Sequence, residues 1–473
     1  MDIRRVAIIG AGPCGLGTAK YLIAENHFES ITIFEQRGEP GGVWNYTGDK
    51  GIEVGPVPRT KPSKTPREPL ESVFASPIYD SLETNIPNSM MQFCDAPFPV
   101  GAALFPAHSV VRDYLHEYAE ELRPFIQFQS LVVDITLQKH ARPEWTVTWR
   151  DLKTGRTSSG KFDALVVANG HHNDPYIPDL PGMVEWDRAY PGSIVHSASY
   201  RRAETFANKK VIVIGHSASG IDIAAQIATV SQHPLLISEK SPTTLSPEKA
   251  GTAKSVPEIR LVDPQRSRVQ FVDGHEECNV DAIVFCTGYH FSLPFLSSLH
   301  NPIVTDGVRP HHLYRHMLYI PEPSLALVGL PQRIVPFPFS QAQGAWIARL
   351  FSGRLAFPSE QEMEEWILNW EARHGEGRSL NTLAFPLDAE YINALHDLSS
   401  QAVCREGLAN GGQGKQPPFW GDKEKWTRER FPLIKKASQA LGSRRSQVKT
   451  LAELGFDFEP SDTERNEERK AHL

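Results

Sequence analysis

Four apolar residues in a row, Val6-Ala7-Ile8-Ile9, run straight into glycines. An apolar-periodic stretch from Leu16 to Ala24 follows, and then a second β-branched run, Ile31-Thr32-Ile33-Phe34. Strand, tight turn, helix and strand in that order begin a parallel sheet. The pattern returns at Val211-Ile212-Val213-Ile214, with a helical stretch from Ile221 to Ala228 and a strand at Leu235-Leu236-Ile237, so the chain holds two βαβ units. Two more apolar runs end in small residues and bracket the second unit: Ala164-Leu165-Val166-Val167 before Ala168-Asn169-Gly170, and Ala282-Ile283-Val284-Phe285 before Cys286-Thr287-Gly288. Both read as buried strands leaving their sheets, which predicts one α/β domain inserted into another.

Between these elements the pattern weakens. Residues Gly48 to Pro69, rich in Pro, Gly, Lys and Thr, read as a long surface loop. From Phe357 a helix is expected, with Met363, Trp366, Ile367 and Trp370 as its packing face. Past Asn410 the glycines and charges predict an extended, partly mobile tail.

Composition narrows the class. The 473 residues are 40% hydrophobic and 22% charged, which excludes a disordered chain and a coiled coil. A net charge of −7 without a dense basic stripe argues against nucleic acid as a partner. No apolar run is long enough to span a bilayer and no signal-peptide core precedes Val6, so a cytoplasmic protein is expected. The last three residues, Ala471-His472-Leu473, only loosely match a peroxisomal address, which stands as the weaker alternative. The five cysteines form no Cys-x-x-Cys pair, so they read as reduced thiols, with neither a disulfide framework nor a metal site.

The chemistry starts at the first glycine turn. Gly10-Ala11-Gly12-Pro13-Cys14-Gly15 follows a strand and opens a helix. Its glycines allow the turn, the approach of a pyrophosphate, and close packing of helix on strand, while the helix N-terminus favours the phosphate charge. Glu35 stands 25 positions after Gly10, where a carboxylate binds ribose hydroxyls, and Gln36 follows it. Gly41-Gly42-Val43-Trp44 comes next, where flavoproteins of the two-nucleotide type bring the chain back along FAD; Trp44-Asn45-Tyr46 then leaves no redox disulfide.

The second turn, Gly215-His216-Ser217-Ala218-Ser219-Gly220, has Ser217 in place of the middle glycine. Lys240 stands 25 positions after Gly215 with Ser238 just before it. A cation and a hydroxyl there favour a 2′-phosphate and hence NADPH; Glu239 would favour NADH if the register shifted by one residue.

Between the two turns, Tyr190-Pro191-Gly192-Ser193-Ile194-Val195-His196-Ser197-Ala198-Ser199-Tyr200-Arg201 resembles the signature of the flavin-containing monooxygenase family, F-x-G-x-x-x-H-x-x-x-(F/Y)-K, with Tyr190 for Phe and Arg201 for Lys. The order of the motifs, ending with Cys286-Thr287-Gly288-Tyr289, also matches over roughly residues 3 to 410, and Tyr79-Asp80-Ser81-Leu82-Glu83-Thr84-Asn85 looks most like the soluble fungal branch. The resemblance implies two Rossmann-like domains: an FAD domain at 1–170 and 289–410, an inserted NADPH domain at 171–288, and a helical or extended tail at 411–473. It implies a C4a-hydroperoxyflavin that oxygenates the nitrogen or sulfur of a small molecule with O₂ as co-substrate. A homodimer is common in the family. Asn85 matches the asparagine beside the flavin, where an amide that both donates and accepts suits a peroxide oxygen. His196, Tyr200, Thr287, Gly288 and Gln341 match positions that line or support the cofactors, and the helix following Pro336 is expected to aim its N-terminus at the flavin. The rivals are Baeyer-Villiger oxygenation of a ketone, against which Tyr200-Arg201 speaks, and a non-oxygenating redox sensor.

Overall fold

Val6, Ala7 and Ile8 have no exposed surface because their strand lies inside a sheet covered on both faces, the environment that gives parallel strands continuous apolar runs. In this computed structural model residues 1–50, 54–55, 57–67, 69, 73–139, 143–240 and 251–459 are described, so Ala471-His472-Leu473 and the end of the tail lie outside the described residues. Strand β1 (Arg5–Ile9), helix α1 (Pro13–Ala24) and strand β2 (Ser30–Phe34) form the first βαβ unit, and β1 pairs in parallel with β2 and with Ala164–Val167. The sheet has seven strands, with Ile126–Gln127 at one edge and Leu325–Leu327, Leu318–Tyr319 and Leu313–Tyr314 extending the other.

The helix Pro336–Phe351, buried along almost its whole length, lies against α1. Small residues bring the two helices together: a Cβ on Gly344 would sit 2.7 Å from the Thr18 Cα, and one on Gly17 would sit 3.1 Å from the Ser340 hydroxyl. The expected later helix is Glu360–His374, started by a capping box between Ser359 and Glu362. Met363 is buried, and Trp366 stacks on Trp370.

The second βαβ unit consists of β3 (Val211–Ile214), α2 (Ala218–Ile227) and β4 (Leu235–Ser238). Its five-stranded sheet is parallel throughout, in the order Ala253–Val256, β4, β3, Ala282–Phe285 and Ile194–His196. Each unit also carries a three-stranded antiparallel sheet that the sequence reading did not anticipate. One is Ser130–Lys139 with Pro143–Asp151 and Thr157–Phe162; the other is Ile259–Asp263 with Arg268–Phe271 and Glu276–Cys278.

Two compact units emerge: Met1–Gly42, Glu83–Gly170 and Leu293–Leu473 form one, and Val43–Leu82 with His171–Ser292 form the other. Two of the divisions fall near 170 and 290, and residues 43–82, assigned to the first domain in the sequence reading, cluster with the second unit. Their polar anchors explain it. The Arg201 guanidinium donates to the carbonyls of Ser76, Ile78 and Tyr200, the Tyr79 hydroxyl donates to Asp222 on α2, and the Arg59 and Ile177 backbones exchange hydrogen bonds. The stretch expected as a surface loop is therefore partly built in, with Arg59 paired to Asp174 and Val54 and Val57 packed on the core. The tail, read as helical or extended, has helices at Asp422–Glu429 and Phe431–Ala440, and it clusters with the first unit rather than standing apart.

Candidate functional site

In the first unit the turn after β1 is closed by the Gly10 amide, which donates to the Phe34 carbonyl at 2.8 Å. Gly10 has φ +107°, and a Cβ there would lie 2.6 Å from the Ala168 carbonyl oxygen; one on Gly15 would lie 1.9 Å from the Gly10 oxygen. Those two glycines are required by the protein's own backbone. Gly12 is different, because a Cβ there meets nothing nearer than the Gly42 Cα at 3.7 Å. It keeps open the space above the start of α1, whose first turn has Gly12 at its N-cap, Pro13 next, and no side-chain cap. Uncapped first-turn amides under a glycine suit a pyrophosphate. Glu35 is 3% exposed and its carboxylate accepts from the Ala11 amide at 2.7 Å and the Arg37 amide at 2.8 Å. Burial pushes its pKa up while those amides hold it down, and the fixed carboxylate keeps lone pairs for ribose hydroxyls. These residues fit the adenosine diphosphate half of FAD.

Gln36 is half-buried beside Glu35. The Gly41 amide donates to the Ala11 carbonyl at 2.8 Å, and Gly42, with φ +59°, crosses Gly12 so closely that its Cβ would be 3.1 Å from the Gly12 Cα. Val43 and Trp44 continue a short 3₁₀ turn, half-buried. All five cysteines are free, and burial pushes the Cys14 thiol up to about 11, so it stays protonated at neutral pH.

The second cradle repeats the frame. A Cβ on Gly215 (φ +92°) would lie 2.7 Å from the Cys286 oxygen, and one on Gly220 would lie 2.0 Å from the Gly215 oxygen. Ser217 is the N-cap of α2, again without a side-chain cap, and Ser217 and Ser219 are exposed. The Gly215 amide donates to the Ser238 carbonyl at 3.0 Å, as Gly10 does to Phe34, so the residue equivalent to Glu35 is Glu239 and the register shift weighed above is real. One second-site assignment, Ser238, changes with it. Ser238 is a buried strand residue whose hydroxyl donates to the Pro257 carbonyl, so it is not free to hold a phosphate. The Glu239 carboxylate is held by His216 Nδ1 at 3.1 Å and the Ser255 hydroxyl at 2.6 Å, whereas the Lys240 side chain is 85% exposed. Counting from the strand end instead of from the first glycine would have found Glu239, and His216 with it.

The signature residues turn inward. The His196 ring is fully buried; it accepts from the Ala198 amide on Nδ1 at 3.1 Å and so donates from Nε2 to the Gly288 carbonyl at 3.0 Å. Burial lowers its pKa to about 4, leaving it neutral and fully used at pH 7. Gly288 has φ +82° and Thr287 donates to the Tyr176 carbonyl. Tyr200 is 1% exposed and donates to Gln226 on α2, with the Tyr79 ring at 5.2 Å. His196 and Tyr200 therefore brace the second unit from within, and their assignment as direct cofactor contacts has no free polar group behind it. Gln341 is likewise fully buried: it accepts from the Cys94 amide and donates to Asp95. Asn85, in contrast, is exposed at a bend of the first unit.

The arrangement defines a class: a protein with two dinucleotide-binding units of the flavoprotein type. The sequence profile of the flavin-binding monooxygenase-like family matches residues 67–248 and 250–409, and that of the NAD(P)-binding Rossmann-like domain matches 8–65. The chain is 32% identical over 452 residues to the flavin-containing monooxygenase FMO GS-OX-like 7 of Arabidopsis thaliana, covering 93% of this chain and 89% of that protein. It is 28% identical over 493 residues to the flavin-containing monooxygenase ustF2 of Aspergillus flavus, covering 90% and 97%. Among solved structures, that of S-allyl-L-cysteine S-oxygenase from Allium sativum matches with a TM-score of 0.77 and 28% identity over 100% of this chain and 99% of that one. The chain belongs to the flavin-binding monooxygenase-like family and is an FAD- and NAD(P)H-dependent monooxygenase. Among the described residues no helix is long and apolar enough to cross a membrane, and no cluster of His, Cys, Asp and Glu could hold a metal ion.

Proposed function

We propose that the chain uses NADPH and O₂ to oxygenate the sulfur of a small thioether, with nitrogen nucleophiles as the lesser substrates. The observation that carries the choice of sulfur is the likeness, along the whole chain, to an enzyme described as an S-allyl-L-cysteine S-oxygenase. Bound FAD, once reduced, supplies the chemistry of oxygen activation. The protein's part is to bind, orient and shield. Glu35 and the first turn of α1 hold the adenosine end of FAD, and the Asn85 amide, exposed and un-ionisable, serves an oxygen atom through its changes of state. For NADPH over NADH the support is local. Glu239, whose charge would repel a 2′-phosphate, already has His216 and Ser255 on its oxygens, while the neighbouring Lys240 side chain is 85% exposed and held only by a solvent-exposed ion pair with Glu258 at 3.6 Å, which a phosphate can displace.

The test is to reduce the purified protein anaerobically with NADPH and mix it with oxygenated buffer, recording the flavin spectrum with and without a thioether. A transient spectrum unlike oxidised or reduced flavin, lasting while NADP⁺ is bound and ending in one sulfoxide per NADPH, is the expected result. Immediate return to oxidised flavin with stoichiometric hydrogen peroxide overturns the proposal.

A further inference from the structure

Glu83 and Thr84, the two residues before Asn85, are gripped by cations from more than 350 positions later in the chain. Lys435 Nζ donates to the Thr84 carbonyl at 2.7 Å, and Arg445 Nε donates to Glu83 at 2.7 Å. We infer that the C-terminal segment carrying Lys435 and Arg445 positions Asn85, and so keeps oxygen transfer coupled to NADPH use. The inference rests on reading Asn85 as the residue that serves the activated oxygen.

Three layers make the grip. The Asn85 bend lies along residues 104–107: Glu83 bridges Ala107, the Thr84 amide donates to the Pro106 carbonyl at 3.0 Å, and the Asn88 amide donates to the Leu104 carbonyl at 2.8 Å. Behind that strip, the Leu104 amide donates to the Val448 carbonyl at 2.7 Å, and Leu104 and Phe105 share a buried cluster with Ile434 and Val448. Lys435 crosses the strip, its ammonium 4.3 Å from the Phe105 ring centroid, and ends on Thr84. That target matters because the Thr84 carbonyl belongs to the same planar peptide as the Asn85 nitrogen. A charged donor on the carbonyl therefore fixes the plane from which Asn85 departs. Thr84 is 4% exposed, so water does not readily replace the lost donor. The family profile stops at residue 409, before either cation, so the grip is not part of the pattern that defines the family.

The variants are Lys435→Met, Arg445→Gln, Lys435→Arg and Asn85→Ala, each purified with FAD. Amide hydrogen exchange of residues 83–88, without NADPH, is expected to quicken about tenfold in Lys435→Met while α1 is unchanged. The share of NADPH oxidised to hydrogen peroxide is expected to rise in Lys435→Met and Asn85→Ala alike, with KM for NADPH unchanged, and Lys435→Arg restores both readouts. Arg445 is 35% exposed, so Arg445→Gln keeps the test open should Lys435→Met not fold, with a smaller effect of the same sign. Unchanged exchange, or quickened exchange without peroxide leak while Asn85→Ala does leak, overturns the inference. An Asn85→Ala enzyme that stays fully coupled overturns instead the reading of Asn85 on which it stands.

Discussion

The two glycine turns differ at the positions that face outward and agree at those that face in. Gly10 and Gly215 occupy the same left-handed region against the carbonyls of Ala168 and Cys286, and Gly15 and Gly220 stand equally close to the oxygens of their first glycines. The middle position is Gly12 in one and Ser217 in the other, and neither is pressed by the protein's own atoms. The acids differ too: backbone amides fix Glu35, but side chains hold Glu239. Turn geometry thus demands its residues wherever the turn occurs, while the unpressed middle position and the partners of the buried acid are free to follow the ligand.

The largest effect should come from breaking the shared frame. In Gly220→Ala a methyl group would have to displace a backbone oxygen 2.0 Å away, at a cost of about 3 kcal/mol. The second unit should lose NADP⁺ binding in a titration while the first retains its flavin absorbance, and Gly15→Ala should do the reverse. Equal loss of both from either variant would show that the two cradles are not separable. A smaller effect is expected where the acids differ. Lys240→Ala should lower kcat/KM for NADPH about fivefold and leave NADH nearly unchanged, and added salt should narrow the gap. No change in the ratio would remove Lys240 from the phosphate site. The smallest belongs to Ser217→Gly, which makes the turns alike: since Ser217 makes no capping hydrogen bond, thermal stability should move by about one degree and NADP⁺ affinity by less than about twofold.

The same contrast explains what could be read in advance. Buried parallel strands have to be apolar throughout, so Val6 to Ile9 and Val211 to Ile214 announced themselves, and backbone-imposed glycines stood at fixed offsets from them. The antiparallel sheets left a weaker mark. Trp145 and Val147 are fully buried between half-buried neighbours, an alternation of period two that short runs of Thr and charge obscure. Glu239 stood as the alternative to Lys240 because the second unit reaches its acid one position sooner, with a shorter helix and strand and a longer loop between them, which changes the offset from the first glycine without changing composition. The anchoring of residues 43–82 by Arg201 and of the Asn85 bend by Lys435 joins distant parts of the chain, and single-sequence periodicity holds no information on such pairs. In the tail, Phe431, Ile434 and Ser438 mark one buried helix face, a signal diluted by the charges around it.

The chain crosses between the two units at residues 42/43, 82/83, 170/171 and 292/293. Synthesis runs from the N-terminus, so the second unit has all of its chain once residue 292 has left the ribosome. The first unit must wait for the strands at 313–327 and the helix Pro336–Phe351 that covers α1. During that interval the first glycine turn opens a helix, α1, that still lacks its covering partner. The cradle written first is therefore finished after the second, and it depends on residues 313–351 having been made.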